Sequence, residues 1–250
     1  MKKNLENEIF VCLDCEFTGL DPNNDRICEI AVATFNSTEI LEQFESLIDP
    51  ECPISETSIA IHHITEDMVK GKPKMADILP AILRMIDRHV IVGHGIGYDI
   101  DMIVSAAQRA NIPADIKRNA TLDTLRLARL YGESPVNSLE HLRQHFNIED
   151  EGAHRAMSDV IVNIDVFRFL SKRYKSLKDM QEVLSRPILM KAMPLGKHKG
   201  RPFKDIPLEY LRWAAHKDFD QDLTYSIRAE LKRRKQGNLF NQAGNPFSNL

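Results

Sequence analysis

The apolar run Ile9-Phe10-Val11-Cys12-Leu13 ends in Asp14-Cys15-Glu16, so two acids follow directly on a stretch that has to be buried. A short run of this kind reads as a strand inside a sheet, where residues i and i+2 point to the same face. Asp14 and Glu16 therefore leave the core side by side. Two carboxylates withdrawn from water are costly unless a cation neutralises them. Taken alone, the pair allows two readings: a divalent metal sits between the acids, or Asp14 caps the next turn while Glu16 reaches water.

With 250 residues, the chain has room for one substantial domain or for one domain and a small appendage. No apolar stretch approaches the length of a membrane span, and the lysines at positions 2 and 3 have no apolar segment behind them, so neither a membrane protein nor a secretory leader is expected. Cys12 and Cys15 form a C-x-x-C inside the strand, without the second pair that a zinc site needs. With Cys28 and Cys52 they read as reduced thiols, which points to a cytoplasmic protein. The formal charge of −3 is unevenly spread: residues 186–235 hold 13 Lys/Arg against 6 Asp/Glu, a local +7 beside a body of −10. An acidic body with a basic arm fits a metal-using site beside an element that holds a polyanion, although a solvated charged face would have the same composition.

Strands are expected at about 9–16, Ile27–Phe35 and Ile40–Ile48, forming an antiparallel meander, with a short buried strand at His89–Val92. Helices are expected at 56–70, at 75–88 with a kink or new start at Pro80, at Tyr98–Ala110, Thr121–Leu130, Ser138–Phe146 and Ala156–Tyr174. This order implies an α/β domain, a mixed sheet with helices packed on it. We divide the chain into residues 1–180, a basic module at 181–235 whose helices cover Leu208–Lys217 and Leu223–Lys235, and a flexible Asn/Gly/Gln-rich tail at 236–250.

Two further acids stand where helices begin. After Gly93-His94-Gly95-Ile96-Gly97, Asp99 shares a helical face with Ile103 and Ala106, whereas Asp101 aligns with Ser105 and Gln108. Asp99 is therefore the inward acid and Asp101 the solvent-facing one. Asp159 falls in the first turn of the helix from Ala156, where an acid often does no more than complement the helix dipole. His154, five residues earlier, supports a second role, because an imidazole beside a metal-binding carboxylate is a general base near neutral pH.

Asp14-x-Glu16 followed by Thr18-Gly19, His94-x4-Asp99 after a short strand, and His154-x4-Asp159 together resemble the three exonuclease motifs of the DEDD superfamily. The histidine at 154 in place of a tyrosine resembles the DEDDh branch, and the likeness covers about residues 8–172. It implies an RNase H-like fold, a mixed five-stranded sheet flanked by helices. It also implies two Mg²⁺, or Mn²⁺, held by Asp14, Glu16, Asp99 and Asp159, with Asp14 bridging both. By the same resemblance His154 activates the attacking water, and 5′-mononucleotides leave from a 3′ end. The backbone around Thr18 would hold the terminal 3′-hydroxyl, Leu20 would wedge against the last base and Tyr98 would stack on it; a capping Thr, a core Leu and a helix-start Tyr are the structural alternatives. Gly95 departs from the pattern, since many relatives carry Asn there.

The basic module, with Gly196-Lys197-His198-Lys199-Gly200-Arg201-Pro202 and Tyr210-Leu211-Arg212-Trp213, resembles the appendage of exonucleases of the exonuclease X type. Lys197, Lys199, Arg201 and the cluster Lys232-Arg233-Arg234-Lys235 are the candidate phosphate contacts, with an ordinary solvated helix and loop as the alternative. Gln236-Gly237-Asn238-Leu239-Phe240 resembles the peptide with which bacterial DNA enzymes bind a sliding clamp, against the alternative of a frayed tail. These readings favour a stand-alone exonuclease acting on single-stranded or duplex DNA 3′ ends in repair or processing. An RNA-trimming exonuclease of RNase T type and a catalytically idle binding protein stand as alternatives, since no residue is identified that reads a 2′-hydroxyl.

Overall fold

A computed structural model describes Leu5 and residues 8–134, 136–149 and 155–243, with side chains described as far as Gln236. The chain divides into two compact units, Met1–Val183 and Leu184–Leu250.

The first unit is built on a five-stranded mixed sheet with the order β3-β2-β1-β4-β5. β1 (Phe10–Phe17), β2 (Ile27–Phe35) and β3 (Ile40–Leu47) form the antiparallel meander, in which Leu13 lies opposite Val32 and Glu16 opposite Glu29. Past a pair of short helices, α1 (Glu56–His62) and α2 (Glu66–Val69), and a longer one, α3 (Met75–Ile86), the chain enters β4 (Val90–Gly93), parallel to β1. Next come α4 (Gly97–Arg109), β5 (Thr121–Asp123), α5 (Thr124–Tyr131), α6 (Leu139–His145), α7 (Ala156–Ser171) and α8 (Leu177–Leu184).

Three local expectations are corrected. The residues expected to open a helix at Thr121 instead form β5, because Leu122 pairs beside Val92 in the core and Asp123 caps the helix that begins one residue later. The stretch 56–70 is two helices, separated where His63 takes a left-handed conformation at φ 60°. Pro80 lies inside α3 without ending it; burial of Leu79, Ile82, Met85 and Ile86 outweighs one lost backbone hydrogen bond.

Alternation along β1 sorts its side chains between two layers. Val11, Leu13 and Cys15 join the core under α3 and α4, with Leu79, Ile82, Met102 and Ile103. The even-numbered residues face α7, and their partners recur at helical spacing. The Phe10 ring meets Phe167 at 5.0 Å, the Cys12 thiol receives Asn163 Nδ2 at 3.5 Å, and Asp14 and Glu16 lie beside Asp159. Residues 159, 163 and 167 form one i, i+4, i+8 stripe, so a single helix face is laid along a single strand face. Cys12 and Cys15 consequently belong to opposite faces of the sheet, and both are free thiols.

The start of α7 is held from β2. Glu29 is 3% exposed and accepts from Arg155 Nε at 2.9 Å, from Arg155 Nη2 at 2.6 Å and from the Ala156 amide at 3.1 Å. Its carboxylate thus caps the first turn of a helix whose own residue at that place supplies no side-chain cap. A fork of two parallel hydrogen bonds to a guanidinium is among the stronger protein contacts, and it offsets the like charges of Glu16 and Glu29 facing one another across the strands.

The second unit contains α9 (Leu208–Ala214) and α10 (Gln221–Ala243) around a small core of Phe203, Ile206, Leu211, Leu223 and Ile227. α10 runs past the end expected at Lys235, through the glycine at 237; one interior glycine costs about 1 kcal/mol, too little to stop a long helix. Among the described residues no helix is long and apolar enough to cross a membrane.

Replacing Phe167 by Ala empties the apolar end of the α7–β1 contact and is expected to lower unfolding free energy in urea by about 3–5 kcal/mol; a loss under about 1 kcal/mol would contradict this register. Arg155→Ala, which strands the buried Glu29 carboxylate, should destabilise the chain more than Glu29→Gln, which leaves a half-exposed guanidinium free to meet water. The same urea series checks the order of the two losses.

Candidate active site

The acid end of the α7–β1 stripe carries the chemistry. Carboxylate oxygens of Asp14, Glu16 and Asp159 all lie within 4.8 Å of one another, and each of the three side chains is half-buried. Burial, followed by the charges of Asp99, Asp159 and Glu16, holds the Asp14 carboxyl well above the usual carboxylate range. Glu16 is pushed up to about 8 by burial and then by Asp159, Glu29 and Asp99, with Arg155 acting in the opposite direction. A protein gains nothing in stability from such crowding. A hard divalent cation fits the donor set, because it prefers carboxylate oxygens and would restore the ionised forms.

Asp99 arrives from the other layer. It is 8% exposed in the first turn of α4, and its Oδ1 accepts from the Cys15 amide at 3.1 Å, between the two acids of β1. It stands outside the set of three, and its own carboxyl is raised to about 7 by burial, against the lowering effect of the backbone amides that donate to it. Asp101 is solvent-facing and pairs with Lys117 at 2.6 Å, as its helical position implied.

The loop before Asp99 is held by Asp123 and Thr124, which the sequence did not single out. Asp123 Oδ1 accepts from the Gly95 amide at 3.0 Å and from the Leu125 amide at 2.9 Å, so one carboxylate caps α5 and clamps the glycine loop. Gly95 adopts φ 76°, a region that glycine enters freely and asparagine tolerates, which accounts for either residue at this position. His94 is lodged against Thr124, at 3.0 Å from its hydroxyl, and burial pulls its imidazole down to about 4; this histidine shapes the loop and stays neutral. Glu29 and Arg155 likewise belong to no motif of the sequence. Their signal was legible, an acid inside the apolar run of β2 and a basic residue directly after His154, but nothing local pairs residues so far apart in the chain.

Around the site, His62 accepts from the Ile64 amide at Nδ1, which leaves Nε2 to donate to the Phe17 carbonyl at 3.2 Å and tie down the end of β1. Thr18 is buried, with its hydroxyl donating to Asp25, its amide to the Arg26 carbonyl, and its carbonyl accepting from Ser55. Leu20, in contrast, is 84% exposed on the same turn. Tyr98 lies edge-on against Phe17 at 4.9 Å and donates from its hydroxyl to the Gly19 carbonyl at 3.3 Å, joining the start of α4 to this turn. Lys197, Lys199 and Arg201 are exposed on one loop of the second unit. His154 lies outside the described residues, as do the side chains of residues 237–240 of the expected clamp peptide.

Comparison with known proteins adds what geometry alone does not. Residues 11–167 match the exonuclease family, and residues 180–224 match a family described as "Putative quorum-sensing-regulated virulence factor". Among curated relatives, the PolC-type DNA polymerase III of Lacticaseibacillus paracasei is 33% identical over 158 residues, which is 63% of this chain and 11% of that protein. That of Caldanaerobacter subterraneus is 32% identical over 199 residues, 77% of this chain and 14% of that protein. The chain thus spans a small fraction of these polymerases. Among solved structures, exonuclease X in complex with 5′ overhanging duplex DNA aligns with TM-score 0.56 and 22% identity, over 71% of this chain and 99% of that one. E. coli exonuclease I in complex with a dA16 oligonucleotide aligns with TM-score 0.62 and 20% identity, over 72% of this chain and 43% of that one. These two likenesses concern the fold, the mixed sheet with helices on both faces. With the family match over most of the first unit, the acids at 14, 16, 99 and 159 and the histidine at 154, the chain belongs to the DEDDh-type 3′→5′ exonuclease family, whose chemistry depends on a divalent metal.

Proposed function

We propose that the chain is a 3′→5′ exodeoxyribonuclease that releases 5′-mononucleotides from DNA 3′ ends. The observation that carries this reading is the convergence of Asp14, Glu16 and Asp159 within 4.8 Å, with Asp99 bonded to the backbone between the first two. These four carboxylates would hold two Mg²⁺, or Mn²⁺. When bound, the cations neutralise the scissile phosphate and the charge that develops on the leaving oxygen. His154 takes the proton of the attacking water, a task suited to an imidazole near neutral pH. Leu20, exposed beside the site, and Tyr98, tied to the same turn, bear on the last nucleotide, and the Thr18 hydrogen bonds hold that turn in shape. Lys197, Lys199 and Arg201 supply sequence-independent phosphate contacts.

DNA is favoured over RNA because the polymerases it resembles are DNA polymerases and two structural neighbours hold DNA. The resemblance of the C-terminal module favours a stand-alone cytoplasmic enzyme of exonuclease X type. The identity to PolC-type polymerases favours a second reading, a proofreading-type activity acting beside a polymerase.

With 5′-labelled DNA and RNA strands and Mg²⁺, DNA should shorten progressively from its 3′ end, and EDTA should stop the reaction. Degradation of neither strand sinks the nuclease reading, and degradation of RNA alone transfers it to the RNA-trimming alternative. Asp14→Ala should abolish turnover, and His154→Ala should lower kcat by about 10²–10⁴-fold; unchanged rates would refute these assignments.

The crowded acids also predict a pH dependence in EDTA. The folded chain keeps protons on Glu16 up to about pH 8 and on Asp99 up to about pH 7, whereas unfolded carboxylates release theirs near pH 4. The folded state therefore binds more protons across this window, and stability falls as pH rises through it. In thermal melts, Asp14→Asn should reduce the fall by removing one charge, and Mg²⁺ should reverse it by binding the ionised acids. Identical pH slopes for wild type and variant in EDTA would show that these carboxylates do not repel one another.

A further inference from the structure

The only tryptophan of the chain is not used to build a core. Trp213 is 51% exposed on α9, while Leu211 and Ala214 beside it are buried with Phe203, Ile206 and Leu223. A ring of this size normally dominates the packing of a small unit, so its position outside the core calls for a partner. Its surroundings state what kind. Tyr210, one turn earlier, has its ring 5.2 Å from that of Trp213 at a 46° tilt, and the Lys217 ammonium stands 5.0 Å from the Trp213 centroid.

The lysine loop is joined to the same aromatic row. His198 packs edge-on against Tyr210 at 4.4 Å, and Gly196, at φ 71°, passes so close that a Cβ there would lie 3.0 Å from the Tyr210 hydroxyl. Lys197 and Lys199 flank His198 in sequence and are exposed, and Arg201 reaches back to its Nδ1 at 3.5 Å. Exposed cations thus border an exposed indole, within a segment of local charge +7. A protein partner would need an acidic and aromatic-binding surface at once. A single nucleic-acid strand offers both features in every nucleotide, a phosphate for the lysines and a base for the ring.

We propose that Trp213, supported by Tyr210 and Lys217, is a stacking site for a nucleobase of a single strand, with Lys197 and Lys199 on the neighbouring phosphates. This deepens the nuclease reading, on which it rests for its choice of ligand, by naming what the second unit grips. The site is sequence-tolerant, since every base has a face to stack.

Trp213 is its own reporter, as the full chain has no other tryptophan. In EDTA, where no hydrolysis confuses the measurement, a short oligothymidylate should quench its fluorescence to saturation. An abasic strand of equal length, with the same phosphates, should bind at least about 5-fold more weakly, the lower bound for losing one stacked base. By anisotropy of a labelled strand, Trp213→Ala should lose a similar factor and Trp213→Phe should lose less, while both keep the melting temperature of wild type because the ring lies outside the core. Lys197→Ala should flatten the dependence of binding on salt. Equal binding of the abasic strand, wild-type affinity in Trp213→Ala, or absence of quenching overturns the site. Hydrolysis of DNA by wild type under Mg²⁺ reports separately on the nuclease reading, so either can fail while the other stands.

Discussion

The contact between α7 and the even-numbered face of β1 governs the first unit, because the same register that closes the core also assembles the acids. Phe10 against Phe167 and Cys12 against Asn163 set how far along the strand the helix lies. One further helical turn brings Asp159 to Asp14 and Glu16, the next two residues of that strand face. A slip of one turn would part the aromatic rings and the carboxylates together. Packing along this stripe therefore positions charged groups that would not gather by themselves.

The concentration of charge is balanced in two ways. Glu29 and Arg155 neutralise one another through a fork of hydrogen bonds, and the same carboxylate caps the helix that carries Asp159. Asp14 and Glu16 are raised by burial and by the charges of the acids around them. Acids crowded at the edge of a core cost stability, and such a donor set fits a divalent cation. The Thr18–Asp25 turn and the Asp123 clamp on the glycine loop stiffen the two segments that border this group, so that the site rests on the sheet and on short, hydrogen-bonded turns.

The second unit follows a different logic. Its core is small, its loop is rich in lysine, and its largest aromatic ring remains at the surface. Where the first unit concentrates negative charge, the second presents positive charge and aromatic faces.

Local pattern was sufficient for a great deal. Alternation in β1 put Asp14 and Glu16 on one face, and helical spacing separated the inward Asp99 from the outward Asp101, because these relations depend only on the geometry of a single strand or helix. The meander and most helix positions were legible for the same reason. β5 reads as helix in the sequence, since a three-residue strand has no period of its own and exists only through pairing with β4. Glu29 with Arg155, and Asp123 with Gly95, were decided by tertiary structure alone. Each joins residues whose proximity follows from how the sheet is ordered and how α5 and α7 close upon it, and no periodicity along the chain encodes that distance.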